Sequence, residues 1–397
     1  MPPANLSPER ALLLRALPIG IAAAAGMTAG VTADALDSAL IAAVRDGRSL
    51  FDLAALHRVT LLIFIALKSH GAEFLDWNHL EARINALRPR NLALTGELKR
   101  ILNLFKSRNT ETIPLKGLTL AQSAYGSLFA REIRDLDILV RPESVDAARE
   151  VLTADGFEWL EAYLDPRSAA DYRRRKTHFT FHHPVRGVHL ELHWGLLRAP
   201  DIAAADLAPF WERSRPADFL GAPMRVFAPE DELFMLLLHG SKHLWSDLIW
   251  LCDLAAFLRI HPAIDWRAVY DRASAFRARH FVTLGILMAS DLLDLPLPPA
   301  AIAPARADRV MSRLAADLIA HYFDPRPIPP RLTVAEFLRQ LRLRAPIDQP
   351  GFIAYQLAIW QPSPADRAFL PLPPRLYFLY NVLRPIRLAL KVMRGKG

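Results

Sequence analysis

Apolar and polar positions follow two different rhythms along this chain. From residue 8 to about 108 the apolar residues recur at helical spacing, as with Leu36, Leu40, Ile41 and Val44, after which Asp46-Gly47 reads as a stop. Asp52–Lys68 then reads as one strongly apolar helix and Leu92–Lys106 as another. Between residues 110 and 194 the period shortens. Thr110–Leu115 predicts a strand, Leu118–Ser127 an amphipathic helix, and the run through Val140 a second strand. A helix over Ser144–Ala154 follows Pro142 and stops at Gly156, and Phe157–Leu164 reads as a further strand. Thr177–His182 and Val188–Trp194 both alternate around a turn at Pro184–Gly187, the pattern of a β-hairpin. Pro216–Pro229 reads as a linker or short hairpin. From Pro229 the helical period returns and continues over Asp265–His321, with a break at Pro296–Pro304 and a Pro-rich linker at Phe323–Pro330. The pattern divides the chain into an N-terminal helical region (1–108), a mixed α+β core (109–225) and a C-terminal helical region (226–397).

Composition changes this picture little. Hydrophobic residues make up 52% of the 397, enough for sizeable cores. The formal net charge is +8, carried mostly by arginines spread along the chain, which suits a polyanionic partner and equally a merely basic surface. The short run Arg173-Arg174-Arg175-Lys176 reads as a solvated face. The lone Cys252 lies in an apolar helical stretch and reads as a buried small side chain, which fits a reducing compartment. Leu12–Val31 is apolar but interrupted by Pro18, Gly20 and Gly26, short of the ~20 strongly apolar residues that a membrane span needs. Arg10 and Arg15 ahead of it fit a signal peptide, but a helical hairpin is the preferred reading, and with it a cytoplasmic location. The tail Arg375–Arg394 is apolar and basic, with Pro385 inside it. Peripheral contact with an anionic membrane and packing against the body both fit that pattern.

The candidate chemistry centres on Asp135-Leu136-Asp137, inside an apolar run. Alternate residues of a strand share a face, so Asp135 and Asp137 point one way while Leu136, Ile138 and Val140 point into a core. Two adjacent carboxylates repel unless a cation or a proton offsets them, and carboxylate oxygens suit Mg²⁺ held together with substrate phosphates. Upstream, Leu115-Lys116-Gly117 reads as strand end, tight turn and helix start. Glycine there lets backbone N–H groups approach a phosphate, and Lys116 adds charge. In the second hairpin strand His189, Glu191 and His193 share the face opposite Val188, Leu190 and Leu192. Five histidines between 178 and 193 raise the question of zinc, but His178, His182 and His183 lack a motif spacing and no cysteine is near. His57 beside Arg58 reads as a packing residue. On the helix from Pro229, His239, Lys242 and His243 share one face.

Leu115-Lys116-Gly117, Tyr125, Arg131 and Asp135-Leu136-Asp137-Ile138-Leu139-Val140 together resemble the uncharacterised nucleotidyltransferase family of the DNA polymerase β-like superfamily. Leu190-Glu191-Leu192-His193-Trp194 is similar to that family's hydrophobic-acid-hydrophobic-His-Trp element, and the stretches His239–His243 and Trp250–Leu254 are similar too. The resemblance implies a polymerase β-like mixed sheet with flanking helices. It implies transfer of a nucleoside monophosphate from an NTP to an acceptor, with Asp135, Asp137 and Glu191 holding Mg²⁺ or Mn²⁺. Lys116, Gly117, Arg131 and Lys242 are then the nucleotide-binding residues. The acceptor stays open among protein, RNA and small molecules. The superfamily usually has Gly-Ser or Gly-Gly at the turn, where this chain has Gly117-Leu118. That departure keeps alive an alternative, a nucleotide- or partner-binding module without turnover. A glycosyltransferase also uses Asp-x-Asp, but no Rossmann-like half is visible here.

Overall fold

The computed structural model describes residues 6–26, 36, 38–44, 46–68, 77–161, 172–173, 176–196, 207–324 and 334–344, with 369–373, 376, 379–380, 383 and 386–387 in the tail. Most of the basic tail, the linker beyond Asp324 and residues 162–171 lie outside the described residues.

The chain enters through helices α1 (Pro8–Ala24), α2 (Ser38–Ala43), α3 (Gly47–Leu56), α4 (Thr60–Lys68) and α5 (Trp77–Lys106). The first runs straight through Pro18, so the expected hairpin is, as far as Ala24, one helix. Gly20 is needed there, because a Cβ would lie 2.2 Å from the backbone oxygen of Leu62 on α4. Asp46-Gly47 is a start rather than a stop. The Asp46 carboxylate accepts from the N–H groups of Arg48 and Ser49 and caps α3. The apolar run 52–68 is likewise two helices rather than one, broken at Arg58, whose φ is +60°. Its guanidinium donates to Asp247 at 2.9 Å, a long-range contact that helps hold the break. His57 packs as expected, stacked on Tyr322.

Strands β1 (Thr112–Pro114), β2 (Leu136–Val140), β3 (Glu158–Trp159), β4 (His178–His183) and β5 (Val188–His193) form one sheet in the order β1-β2-β5-β4-β3. Only β2 and β5 run parallel; the other pairs are antiparallel. Helices α6 (Gly117–Tyr125) and α7 (Val145–Ala154) lie between the first strands. The strand expected over 157–164 is only two residues long in the described part.

One face of this sheet is mostly apolar, with the buried Thr112 and His183 as its polar members. Leu136, Ile138, Val140, Phe179, Phe181, Leu190 and Leu192 are buried with Leu98, Ile101 and Phe105 of α5 and Val145, Ala148 and Leu152 of α7. Each such side chain contributes about 1.5–3 kcal/mol by leaving water. Leu139, pointing the other way, joins a second core.

That second core is built by helices from both ends of the chain. The C-terminal part comprises α8 (Ala208–Arg213), the hairpin β6 (Arg215–Phe219) and β7 (Ala222–Val226), then α9 (Pro229–Lys242), α10 (Leu248–Ile260), α11 (Trp266–Ala275), α12 (Arg279–Leu292), α13 (Pro299–Ala307), α14 (Arg309–Ala320) and α15 (Val334–Arg344). The stretch expected to break at Pro296–Pro304 instead carries α13, with Pro299 at its start and Pro304 inside. Leu12, Leu17 and Leu62 from the N-terminal helices are buried in one cluster with Leu237, Leu251, Ile286 and Leu314 from the C-terminal ones. The second face of the sheet therefore looks towards a helical lobe made from both ends of the chain. Among the described residues no helix is long and apolar enough to cross a membrane.

Candidate functional site

The cleft between the sheet and the helical lobe is set by strand register. Parallel pairing of β2 with β5 places Asp137 directly beside Glu191. Antiparallel pairing of β4 with β5 places His178 opposite His193. Paired residues share a face, so Asp137, Glu191, His193 and His178 all project from the side opposite the apolar face. Asp135 stands just before β2 and lines the same cleft, whose volume is about 390 Å³. Lys116, Gly117, Arg131, Lys242, His239 and His243 line it as well. The residues that the resemblance assigns to metal and nucleotide thus border one cavity, whereas His182, His183 and His189 of the hairpin do not line it.

The turn at Lys116-Gly117 is tied to the Asp-x-Asp strand. The Leu115 N–H donates to the Asp137 carbonyl at 2.9 Å. Lys116 and Gly117 both have positive φ, +47° and +54°. For a lysine that conformation costs roughly 1–3 kcal/mol. It swings the start of α6 to the cleft, and no side chain caps that start. A helix N-terminus without a side-chain cap offers backbone N–H groups to an anion.

The charges here are strongly interlocked. Lys116 Nζ lies 2.7 Å from Asp137 Oδ2. His193 Nε2 lies 3.1 Å from both Asp137 Oδ1 and Glu191 Oε2. A single imidazole nitrogen therefore bridges the two carboxylates. His178 Nε2 sits 3.7 Å from Glu191 Oε1. Burial alone would raise the pKa of Asp137, but Lys116 and His193 outweigh it and hold this carboxyl well below the usual range. Asp135 goes the other way, raised by burial and by the neighbouring charge of Asp137. Burial also works against the charge on Glu191, yet the hydrogen bond from His193 draws it down. His193 is raised against its own burial by its bonds to Asp137 and Glu191. His178 is pushed down to about 3 by burial and then by His193. Two carboxyls two residues apart are thus split in opposite directions, Asp135 up and Asp137 down.

Behind this open cluster lies a closed one. Arg131 lines the cleft, but its guanidinium is held by Asp253 on α10, Nη2 to Oδ2 at 2.8 Å and Nε to Oδ1 at 2.9 Å. Tyr125 Oη donates to the same Oδ1 at 3.0 Å. Tyr125, Arg131 and Asp253 bind the sheet's loop to the helical lobe and fix one wall of the cleft.

Across the cleft, Trp250 stacks on His243 and meets His239 edge-on, while Arg58 lies over the same indole at 5.2 Å. Arg58 lines the cavity and escaped sequence reasoning. No local pattern marks it, since it reaches the site only through the break between α3 and α4. The convergence of His178 with His193 was also missed, although a signal existed. A turn at 184–187 pairs residue 183 with 188, and counting back along both strands pairs 178 with 193.

A family model described as an uncharacterised nucleotidyltransferase matches residues 44–294, from just before α3 through α12. No curated protein matches the chain.

Proposed function

The chain belongs to the uncharacterised nucleotidyltransferase family, and from that premise we propose that it transfers a nucleoside monophosphate from an NTP to an acceptor hydroxyl in the cleft around Asp137. The mixed five-stranded sheet with its flanking helices is compatible with a nucleotidyltransferase fold, and polymerase β-like is the reading adopted here.

The observation that carries the proposal is the parallel register of Asp137 and Glu191 at the foot of a turn that presents a helix N-terminus without a side-chain cap. The cleft volume of about 390 Å³ falls within the ~300–1,000 Å³ typical of ligand sites. The carboxylate oxygens of Asp135, Asp137 and Glu191 are of the type that suits Mg²⁺ or Mn²⁺, while the group whose ligand atoms already lie within 4.8 Å of one another is His178, Glu191 and His193. When bound, such cations offset triphosphate charge and lower the pKa of the attacking hydroxyl. The Gly117 backbone and Lys116 receive the phosphates from one side, and Lys242 faces them from the helical wall. Lys116 is paired with Asp137 without nucleotide and turns to phosphate when a cation takes its place. Arg131 lines the cleft, but its charge is compensated by Asp253, so it contributes a fixed wall beside the nucleotide rather than a free positive charge. Asp135, raised by burial and by Asp137, is the carboxyl of the three most ready to hold a proton.

One observation favours a second reading, a nucleotide-binding module without turnover. Asp137 is already engaged by Lys116 and His193, so its charge is compensated without an ion. Incubation of the purified protein with α-labelled NTPs, divalent cation and a cell lysate separates the two. Label transferred to a lysate component with pyrophosphate release supports transfer. Saturable NTP binding with no label transfer under any condition supports the module.

A further inference from the structure

The carboxylates of this cleft do not stand alone. The face that carries Asp137 and Glu191 also carries histidines, and the ring nitrogens of two of them, His178 and His193, lie with the Glu191 carboxylate within 4.8 Å of one another. The arrangement follows from register. Glu191 and His193 are two apart on β5, and His178 is the direct partner of His193 on β4. Atoms bound to one transition ion at ~2.1 Å lie at most ~4.2 Å apart. The group therefore closes on an ion by a small side-chain adjustment, with Asp137 Oδ1, 3.1 Å from His193 Nε2, as a neighbouring oxygen. All three residues are buried or half-buried, and each sits on a strand rather than a loop, so the backbone positions are fixed.

We propose that His178, Glu191 and His193 form a mixed nitrogen and oxygen cation site beside Asp137, which gives this cleft a preference for first-row transition ions over Mg²⁺, strongest for Co²⁺ and Zn²⁺ and weakest for Mn²⁺. Mg²⁺ takes oxygen ligands and dehydrates reluctantly. Imidazole ligands favour the later first-row metals. The use of the ion in transfer rests on the function proposed above, but the binding does not, since it needs neither nucleotide nor acceptor. The competing account makes His193 a hydrogen-bonding bridge that only orients two carboxylates, with His178 a packed neighbour.

The test is pulsed electron paramagnetic resonance on the full chain with Mn²⁺ alone, paired with calorimetric titration of Mn²⁺ and Mg²⁺. Directly bound imidazole leaves ¹⁴N modulation in the echo decay, and the site binds Mn²⁺ measurably tighter than Mg²⁺, because imidazole adds to the affinity for a transition ion and not to that for Mg²⁺. His178→Ala then weakens the nitrogen signal and narrows the gap between the two metals, with Mg²⁺ affinity little changed. Mn²⁺ bound without nitrogen coupling, or Mg²⁺ binding as tightly as Mn²⁺, overturns the proposal. Mg²⁺-supported label transfer alongside a nitrogen-free Mn²⁺ spectrum overturns the cation site and leaves transferase function standing. Nitrogen-bound Mn²⁺ in a protein that never transfers label does the reverse.

Discussion

Two buried charge clusters sit side by side at this cleft, and they are built differently. Arg131, Asp253 and Tyr125 form a closed set, one cation, one carboxylate and one hydroxyl, joined by bonds of 2.8–3.0 Å. Lys116, Asp135, Asp137, Glu191, His178 and His193 form an open set along a cavity. In the closed set every contact is satisfied within the protein and links two lobes. In the open set the acids share their partners, and Asp135 and Asp137 are driven apart in pKa. A closed cluster is valuable because it does not change. An open one is valuable because its cations can be exchanged for others. Burial alone does not distinguish the two, since Asp137 and Asp253 are both almost fully enclosed.

The sharpest way to break this contrast is to remove one partner of the closed pair. Asp253→Ala leaves Arg131 buried and uncompensated, and the expected loss is about 3–5 kcal/mol of stability in chemical denaturation. A loss below ~1 kcal/mol would show that the closed cluster is not structural. The open cluster should answer to ligands instead. In wild type, divalent cation at a hundred times its dissociation constant stabilises the fold by about 2.7 kcal/mol. Glu191→Gln keeps the shape, removes a charge, and should abolish most of that increment, measured against the variant's own metal-free stability, which the weakened bond with His193 also lowers.

A finer test uses pH. The folded pKa of His178 is depressed from 6.5 to about 3. Between those values the unfolded chain binds a proton that the folded chain refuses, so the stability contributed by neutral His178 is complete above pH 6.5 and is lost as pH falls towards 3. His178→Asn should flatten that part of the stability profile, measured by denaturation across the window. An unchanged slope would place His178 outside the buried cluster. The smallest expected effect belongs to the helical wall. Lys242→Ala should weaken NTP binding by about 1.5 kcal/mol, the lower end for one charge-assisted hydrogen bond, with no loss of fold by circular dichroism.

How much of this was legible in the sequence depended on how local the cause is. The alternation Leu136-Asp137-Ile138 sorts one strand into a core face and a cleft face by period two alone, and Leu136, Ile138 and Val140 are indeed buried together. The hairpin of β4 and β5 was equally readable, because Pro184–Gly187 punctuates two alternating runs. The break at Arg58 was not, since the apolar run on both sides is continuous and the contact of Arg58 with Asp247 spans 189 positions. Asp46-Gly47 misled for a related reason. Such a pair ends a helix or begins one, and only the N–H groups of Arg48 and Ser49 decide which. Arg131 was readable as a member of the cleft, but its tie to Asp253, 122 positions away, depends on tertiary packing that no spacing rule carries.

The central claim is that Asp137 and its neighbours form an NTP site served by divalent cation. It is tested most directly by calorimetric titration of wild type and Asp137→Asn with each of the four common NTPs in the presence of Mn²⁺. The account predicts saturable binding of at least one NTP to wild type, weakened roughly tenfold or more in a folded Asp137→Asn protein, the scale of one lost charged contact. Failure of all four NTPs to bind wild type, or equal affinity in the variant, would contradict it.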